Sequence, residues 1–236
     1  MPRLLIVDNH PIYRDALRQL LNGRSGLEVI GEAQDGKDAL EQCRRLEPDV
    51  VLMDIRMPRM DGIEATRAIK QEFPGLIVLV LTALAEPNLL ARALKAGASG
   101  YVLKDTSGQD LASTILSVLD GEYTLDQGLA TQLLIRLLEH QEETKSSSLT
   151  PSPEKAAGGS STPELLELLS PREVEVLKLV ARGQTNQQIA GRLFISQSTV
   201  KKHVRRIVAK LGVSDRVQAA VRAVEAGLLK EEETSS

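Results

Sequence analysis

Five residues able to handle phosphate and a metal ion stand at the same point of a repeating pattern. Asp8 and Asn9 follow the apolar run LLIV at 4–7. Asp54 follows VVLM at 50–53, Thr82 follows LIVLVL at 76–81, and Lys104 follows GYVL at 100–103. Two carboxylates, an amide, a hydroxyl and an ammonium suit a divalent cation together with a phosphoryl group. Mg2+ prefers hard oxygen donors and keeps part of its water shell. A carboxylate can take up phosphate covalently. A cation and a lysine stabilise the charge on a transferring phosphoryl group. Taken singly, each residue has a blander use, since acids after strands cap helices and a lysine there is simply solvated. Their recurrence at successive strand ends favours the chemical reading.

The elements that must carry them alternate along the first half. The apolar runs, with LEVIGEA at 27–33 as a further one, are separated by amphipathic stretches at 11–21, 37–46, 61–71, 87–96 and 108–119. Continuous apolar strands joined by helices predict a parallel sheet covered on both faces. Five such units predict a doubly wound α/β domain over residues 1–123, whose ligands bind where the strands end. That topology would bring all five residues to one rim.

The rest of the chain changes character. Residues 124–141 read as a linker helix. Residues 142–163, EETKSSSLTPSPEKAAGGSSTP, have little to bury and are expected to be a flexible linker spanning roughly 25 Å on average. Residues 164–230 show only helical periodicity and predict an all-α unit of four helices with a helix-turn-helix. Ser170 and Pro171 start its first helix, Gly183 ends it, and a second covers about 186–193. Ser196 caps a third that runs to Leu211 and stops at Gly212, and Ser214 is expected to cap the fourth. Residues 231–236 read as a disordered tail.

Charge divides the same way. Residues 1–125 hold 14 basic and 18 acidic side chains, whereas residues 170–230 hold 12 basic and 4 acidic ones. The basic third calls for a polyanionic partner. Its third helix lines Val200, Val204, Ile207 and Leu211 along one face and sets Lys201, Lys202, Arg205 and Arg206 outside it, with His203 at the border. Cations opposite the buried stripe suit double-stranded DNA, through phosphates and base edges in the major groove.

Composition excludes several other classes. Aromatic residues make up 2%, so the cores must be aliphatic. The single cysteine, Cys43, precludes an internal disulfide and a multi-cysteine metal centre. No apolar run approaches the roughly 20 residues of a membrane span, and the N-terminal run is too short for a secretion signal. A cytoplasmic protein without a membrane partner is expected. A small α/β enzyme, such as a phosphatase with a nucleic-acid-binding appendage, would need a general acid or base and an enclosed pocket. The sequence has no Gly-rich phosphate loop, no Ser/His/Asp arrangement and no His-rich metal set, so a non-enzymatic role is expected.

The segments LLIVDNHPIYRDAL, LMDIRMPRMDGIEA, LTA and KAGASGYVLKD resemble the receiver domain of the NarL/FixJ (LuxR-type) response regulators. The stretch from LSPREVEVLKLVARGQTNQQIAGRLF to ISQSTVKKHVRRIVAKLGVSDRVQAAV resembles their helix-turn-helix. The resemblance implies a DNA-binding transcription regulator of a two-component system. It implies that Asp54 is the phosphoacceptor, taking its phosphoryl group from a phosphohistidine on a sensor histidine kinase. Asp8, Asp54 and the backbone carbonyl of Arg56 would help bind Mg2+, and Lys104 would pair with the acyl phosphate. Thr82 and Tyr101 would form a switch that reshapes the face made by the fourth helix, fifth strand and fifth helix. In the recognition helix, Lys201, Lys202 and Arg205 would reach base edges, while Thr199, His203 and Arg206 would touch the backbone. In the last helix Val217, Ala220, Val221, Val224 and Leu228 lie over more than one face; one face must cover the core, and the resemblance implies that the rest form the contact of an active homodimer. One position departs from the family, which has a second aspartate where this chain has Asn9. An amide oxygen can ligate but lacks charge, so weak Mg2+ binding is expected, and a receiver that works without phosphorylation is the alternative.

Overall fold

The computed structural model describes residues 1–22, 26–83, 86–121 and 167–229. The expected linker helix at 124–141, the flexible linker at 142–163 and the tail at 231–236 lie outside the described residues. The described residues divide into an α/β unit and a largely helical one.

The α/β unit alternates β1 (Arg3–Val7), α1 (Pro11–Leu21), β2 (Glu28–Ala33), α2 (Gly36–Leu46), β3 (Val50–Asp54), α3 (Gly62–Glu72), β4 (Ile77–Thr82), α4 (Pro87–Lys95), β5 (Gly100–Leu103) and α5 (Gly108–Leu119). All neighbouring strands are parallel, in the order β2-β1-β3-β4-β5. Alternate residues of each strand serve opposite faces. Leu4, Ile6, Val50, Leu52, Leu79 and Leu81 pack on one side with Leu17 and Leu21 of α1 and Leu111, Ile115 and Val118 of α5. Leu5, Val7, Val51, Met53 and Val78 pack on the other with Ala39 and Cys43 of α2 and Ala65 and Ile69 of α3. Each Leu, Ile, Val and Met among them contributes roughly 1.5–3 kcal/mol by leaving water. The fully buried side chains of both cores include no aromatic residue, and Tyr13 and Phe73 only pack against their edges.

Local chemistry sets where the helices begin. Asp35 accepts the N–H groups of Lys37 and Asp38 at 2.8 and 3.0 Å, and Asp61 accepts those of Ile63 and Glu64 at 2.9 and 2.8 Å. These caps satisfy donors that a helix start leaves unpaired.

The helical unit comprises α6 (Pro171–Ala181), α7 (Asn186–Leu193), α8 (Gln197–Leu211) and α9 (Arg216–Glu225). Its first two helices carry capping boxes, Ser170 with Glu173 and Thr185 with Gln188. Ser196 caps α8, and Gly212 ends it at φ +62°, a conformation that favours glycine. The fourth helix starts differently from the expectation. Asp215 rather than Ser214 is its cap, accepting the N–H of Gln218 at 3.0 Å, while the Ser214 hydroxyl donates to Asp215. The carboxylate offers the stronger acceptor for a helix start. Val176, Leu177, Val180, Ile189, Val200, Val204 and Ile207 are buried. Among the described residues, no helix is long and apolar enough to cross a membrane.

Candidate functional site

The strand order reverses direction at β1 and β3, and open α/β sheets bind ligands at that switch point. Asp8 comes directly after β1 and Lys104 directly after β5. Asp54 and Thr82 were expected just beyond their strands but are the last residues within them, in register with Leu81 and Leu103. Pairing to the sheet fixes their main chain, so the two side chains are aimed by the ladder rather than by a loop. Tyr101 lies in β5 opposite Val80 and is partly buried.

Asp8 is fully buried, Asp54 is 4% exposed and Thr82 6%. Buried carboxylates are costly unless paired. Lys104 supplies the counter-charge, with its Nζ 2.6 Å from Asp8 Oδ2 and 3.0 Å from Asp54 Oδ2. His10 also reaches Asp8, through its backbone N–H at 2.8 Å and with Nδ1 at 3.1 Å. Burial pushes the Asp54 carboxyl up from its ordinary range, and the negative charge of Asp8 adds to this. Lys104 and the backbone N–H of Arg56 pull it back down. Asp54 faces a cavity of about 180 Å³, also lined by His10, Arg56, Thr82, Glu86 and Lys104. The Arg56 guanidinium donates to Glu86 at 2.8 Å, joining the loops after β3 and β4 beside that cavity.

The first turn of α1 braces this pair of ions from behind. Arg14 donates to the backbone carbonyl of Asp8 at 2.7 Å and is itself held by Glu32 at 3.0 Å. Tyr13 donates to the backbone carbonyl of Lys104 at 3.3 Å, with the Lys104 ammonium 4.8 Å from its ring centre. Gly62 starts α3 hard against the main chain of Asp54, where a Cβ would lie 2.0 Å from the Asp54 carbonyl oxygen. Any side chain at Gly62 would displace the acid.

The donor set fits a divalent cation. One ligand atom each from Asp8, His10 and Asp54 lie within 4.8 Å of one another. Asn9 Oδ1 is buried and has no hydrogen-bond partner, a cost that a cation would remove.

In the helical unit, Val200, Val204 and Ile207 of α8 are buried as expected, whereas Leu211 near its end is only partly so. Lys202, Arg205 and Arg206 are exposed, and Lys201, Thr199 and His203 are partly buried. The Thr199 hydroxyl lies 2.8 Å from that of Ser196. The basic face thus stands at the N-terminal two-thirds of the helix. Lys210, near the other end, is committed to Glu173 of α6 at 2.7 Å. The short α7–α8 turn and this face have the form of a helix-turn-helix with its reading helix presented outward.

Comparison with known proteins places both units. Residues 4–116 match the response regulator receiver domain, and residues 167–223 match the bacterial regulatory proteins of the luxR family. The chain is similar to the transcriptional regulatory protein LnrK of Bacillus subtilis, with 39% identity, covering 97% of this chain and 99% of the relative. It is 35% identical to the response regulator protein VraR of Staphylococcus saprophyticus over the same shares. The crystal structure of a LuxR-family two-component response regulator from Aurantimonas sp. SI85-9A1 matches with a TM-score of 0.53 at 34% identity, covering 58% of this chain and 99% of that one. A receiver fold joined in one chain to a helix-turn-helix defines a two-component response regulator, a class of DNA-binding transcription regulators rather than enzymes. The chain belongs to its NarL/LuxR family.

Of the five residues expected on one rim, Asp8, Asp54, Thr82 and Lys104 come together there, and Asn9 follows Asp8 with its Oδ1 buried and without a hydrogen-bond partner. Residue type and spacing do not single out His10, Tyr13, Arg14, Glu86 or Gly62. Tyr13 and Glu86 act through partners distant in sequence, Lys104 and Arg56, while the nearer pairs of His10 and Arg14 with Asp8 and of Gly62 with Asp54 depend on side-chain and backbone directions that spacing does not encode. Only Asp61-Gly62, an acid cap followed by glycine, marked a tight helix start.

Proposed function

We propose that this regulator is switched by phosphorylation of Asp54, and the Lys104 ammonium shared between Asp8 and Asp54 is the observation that carries the reading. An Asp54 oxygen attacks the phosphorus of a phosphohistidine on a sensor histidine kinase. The O–P bond forms, the P–N bond breaks, and the kinase histidine leaves with the electron pair. Lys104 then pairs with the phosphoryl oxygens, while Asp8 holds the lysine in place. Asp8, Asp54, the Arg56 carbonyl and, more weakly, Asn9 would hold Mg2+, which supplies positive charge to the transferring group. Thr82 and Tyr101 carry the change from the pocket to the α4–β5–α5 face.

Residues 1–123 act as the receiver and 164–230 as the DNA reader, joined by residues 124–163. In the reader, Lys201, Lys202 and Arg205 contact base edges, and Thr199, His203 and Arg206 contact phosphates. Phosphorylation favours a homodimer on paired half-sites of double-stranded DNA.

The test combines intact mass with oligomeric mass after treatment with acetyl phosphate and Mg2+. Wild type is expected to gain one phosphoryl group and to dimerise, and Asp54→Ala to do neither. A dimer already present in both proteins, with no gain in mass, would refute the phosphorylation switch.

A further inference from the structure

The Lys104 ammonium has a third neighbour besides the two carboxylates, the face of the Tyr13 ring at 4.8 Å. The same tyrosine also holds the main chain of Lys104, donating its hydroxyl to the carbonyl at 3.3 Å. One side chain from the first turn of α1 therefore grips both ends of a residue 91 positions away. Burial pushes the Tyr13 hydroxyl up to about 12, with Asp8 and Asp54 adding to the shift, so the phenol stays a neutral donor at physiological pH.

We propose that Tyr13 is a positioning residue for Lys104, its ring face holding the ammonium over the phosphoacceptor while its hydroxyl pins the loop after β5. This rests on Asp54 as the phosphoacceptor. A lysine head group is a point charge on four rotatable bonds, so its direction comes from its surroundings. The negative face of an aromatic ring attracts a cation, more strongly where water is excluded. Lys104 is 20% exposed at its side chain, so the attraction acts in a largely dry setting. When Asp54 becomes an acyl phosphate, the lysine exchanges a carboxylate partner for phosphoryl oxygens. Asp8 and the Tyr13 ring are the two attractions that stay unchanged through that exchange.

Tyr13 also packs against the core beneath α1 and α5, so the test must separate packing from aiming. In the full chain, the phosphorylation rate with acetyl phosphate at saturating Mg2+ is measured for wild type, Tyr13→Phe and Tyr13→Leu. Loss of the ring face should slow Tyr13→Leu about ten-fold, the middle of the range of a cation–π contact, while Tyr13→Phe stays within about three-fold. In a Lys104→Ala background the leucine substitution should cause no further slowing. Equal slowing in both backgrounds would mean that Tyr13 only packs, and would overturn the proposal. NMR supplies an independent readout. The Lys104 side-chain Cε and Hε signals should show a ring-current displacement in wild type and Tyr13→Phe that disappears in Tyr13→Leu. Signals that do not change between the three would overturn it as well. A wild type that takes up no phosphoryl group would refute the phosphoacceptor reading instead, and the NMR comparison would still decide whether Tyr13 holds Lys104.

Discussion

Replacing Glu173 by glutamine should weaken the helical unit by about 1–2 kcal/mol at neutral pH. Glu173 is 4% exposed, accepts the N–H of Ser170 at 2.9 Å and the Lys210 ammonium at 2.7 Å, and so ties the start of α6 to the last turn of α8. Burial alone would push its carboxyl up, but the Lys210 ammonium and the Ser170 donors outweigh that and bring it down from 4.5 to about 2. At about 1.4 kcal/mol per pH unit, that gap sets a ceiling of roughly 3.5 kcal/mol. The Lys210 side chain is 42% exposed, so solvent screens part of the attraction, and glutamine keeps the bond to Ser170. The remaining loss is the charge-assisted half of the network. Because the folded-state value is depressed, the stabilisation is complete above about 4.5 and disappears as pH falls toward 2. Hydrogen exchange read by mass spectrometry on α6 peptides of the full chain measures this locally. Wild type should lose protection between pH 5 and pH 2.5 relative to Glu173→Gln, and the two should converge at the acid end. Equal protection at neutral pH, or parallel pH slopes, would show that the Lys210 pair contributes nothing and would refute the reasoning.

Other outcomes follow from the two sites. Asn9→Asp restores a charged ligand where a buried amide oxygen lacks a partner, and calorimetric titration should find Mg2+ binding tightened about ten-fold, the scale of one screened charge; equal affinities would remove Asn9 as a cause of weak metal binding. Lys202→Ala should change which half-sites are preferred, whereas Arg206→Ala should weaken all sequences alike and flatten the salt dependence; competition binding on altered half-sites distinguishes the two. Phe194 ends α7 at φ +55° while 94% exposed. Phe194→Asn should therefore raise the unfolding free energy by about 0.5–1 kcal/mol, since asparagine tolerates that conformation better and little packing is lost; a fall in stability would show that the ring is packed after all.

Period and punctuation made much of this protein legible before its structure. Apolar runs such as VVLM and LIVLVL, each followed by a helical stretch, specify a parallel sheet, because buried strands and amphipathic helices have different repeats. Parallel connection then puts Asp8, Asp54, Thr82 and Lys104 on one rim, since each lies at the same end of its strand. Ser170, Ser196 and Gly212 likewise marked helix ends through backbone chemistry that is local, and the alternation of Val200, Val204 and Ile207 with cations placed a basic face on α8. What the tertiary structure decided is how those residues are held. Asp215, rather than its neighbour Ser214, caps the last helix, a choice between adjacent acceptors that residue type leaves open. Lys210 looks like one more cation of the reading helix, but a buried glutamate in another helix claims it. Tyr13 reads as an ordinary position on α1, and only the packing of α1 against α5 and β1 brings its ring to the Lys104 ammonium. Such pairings depend on side-chain direction between elements far apart in the chain, and no spacing within a single element encodes that direction.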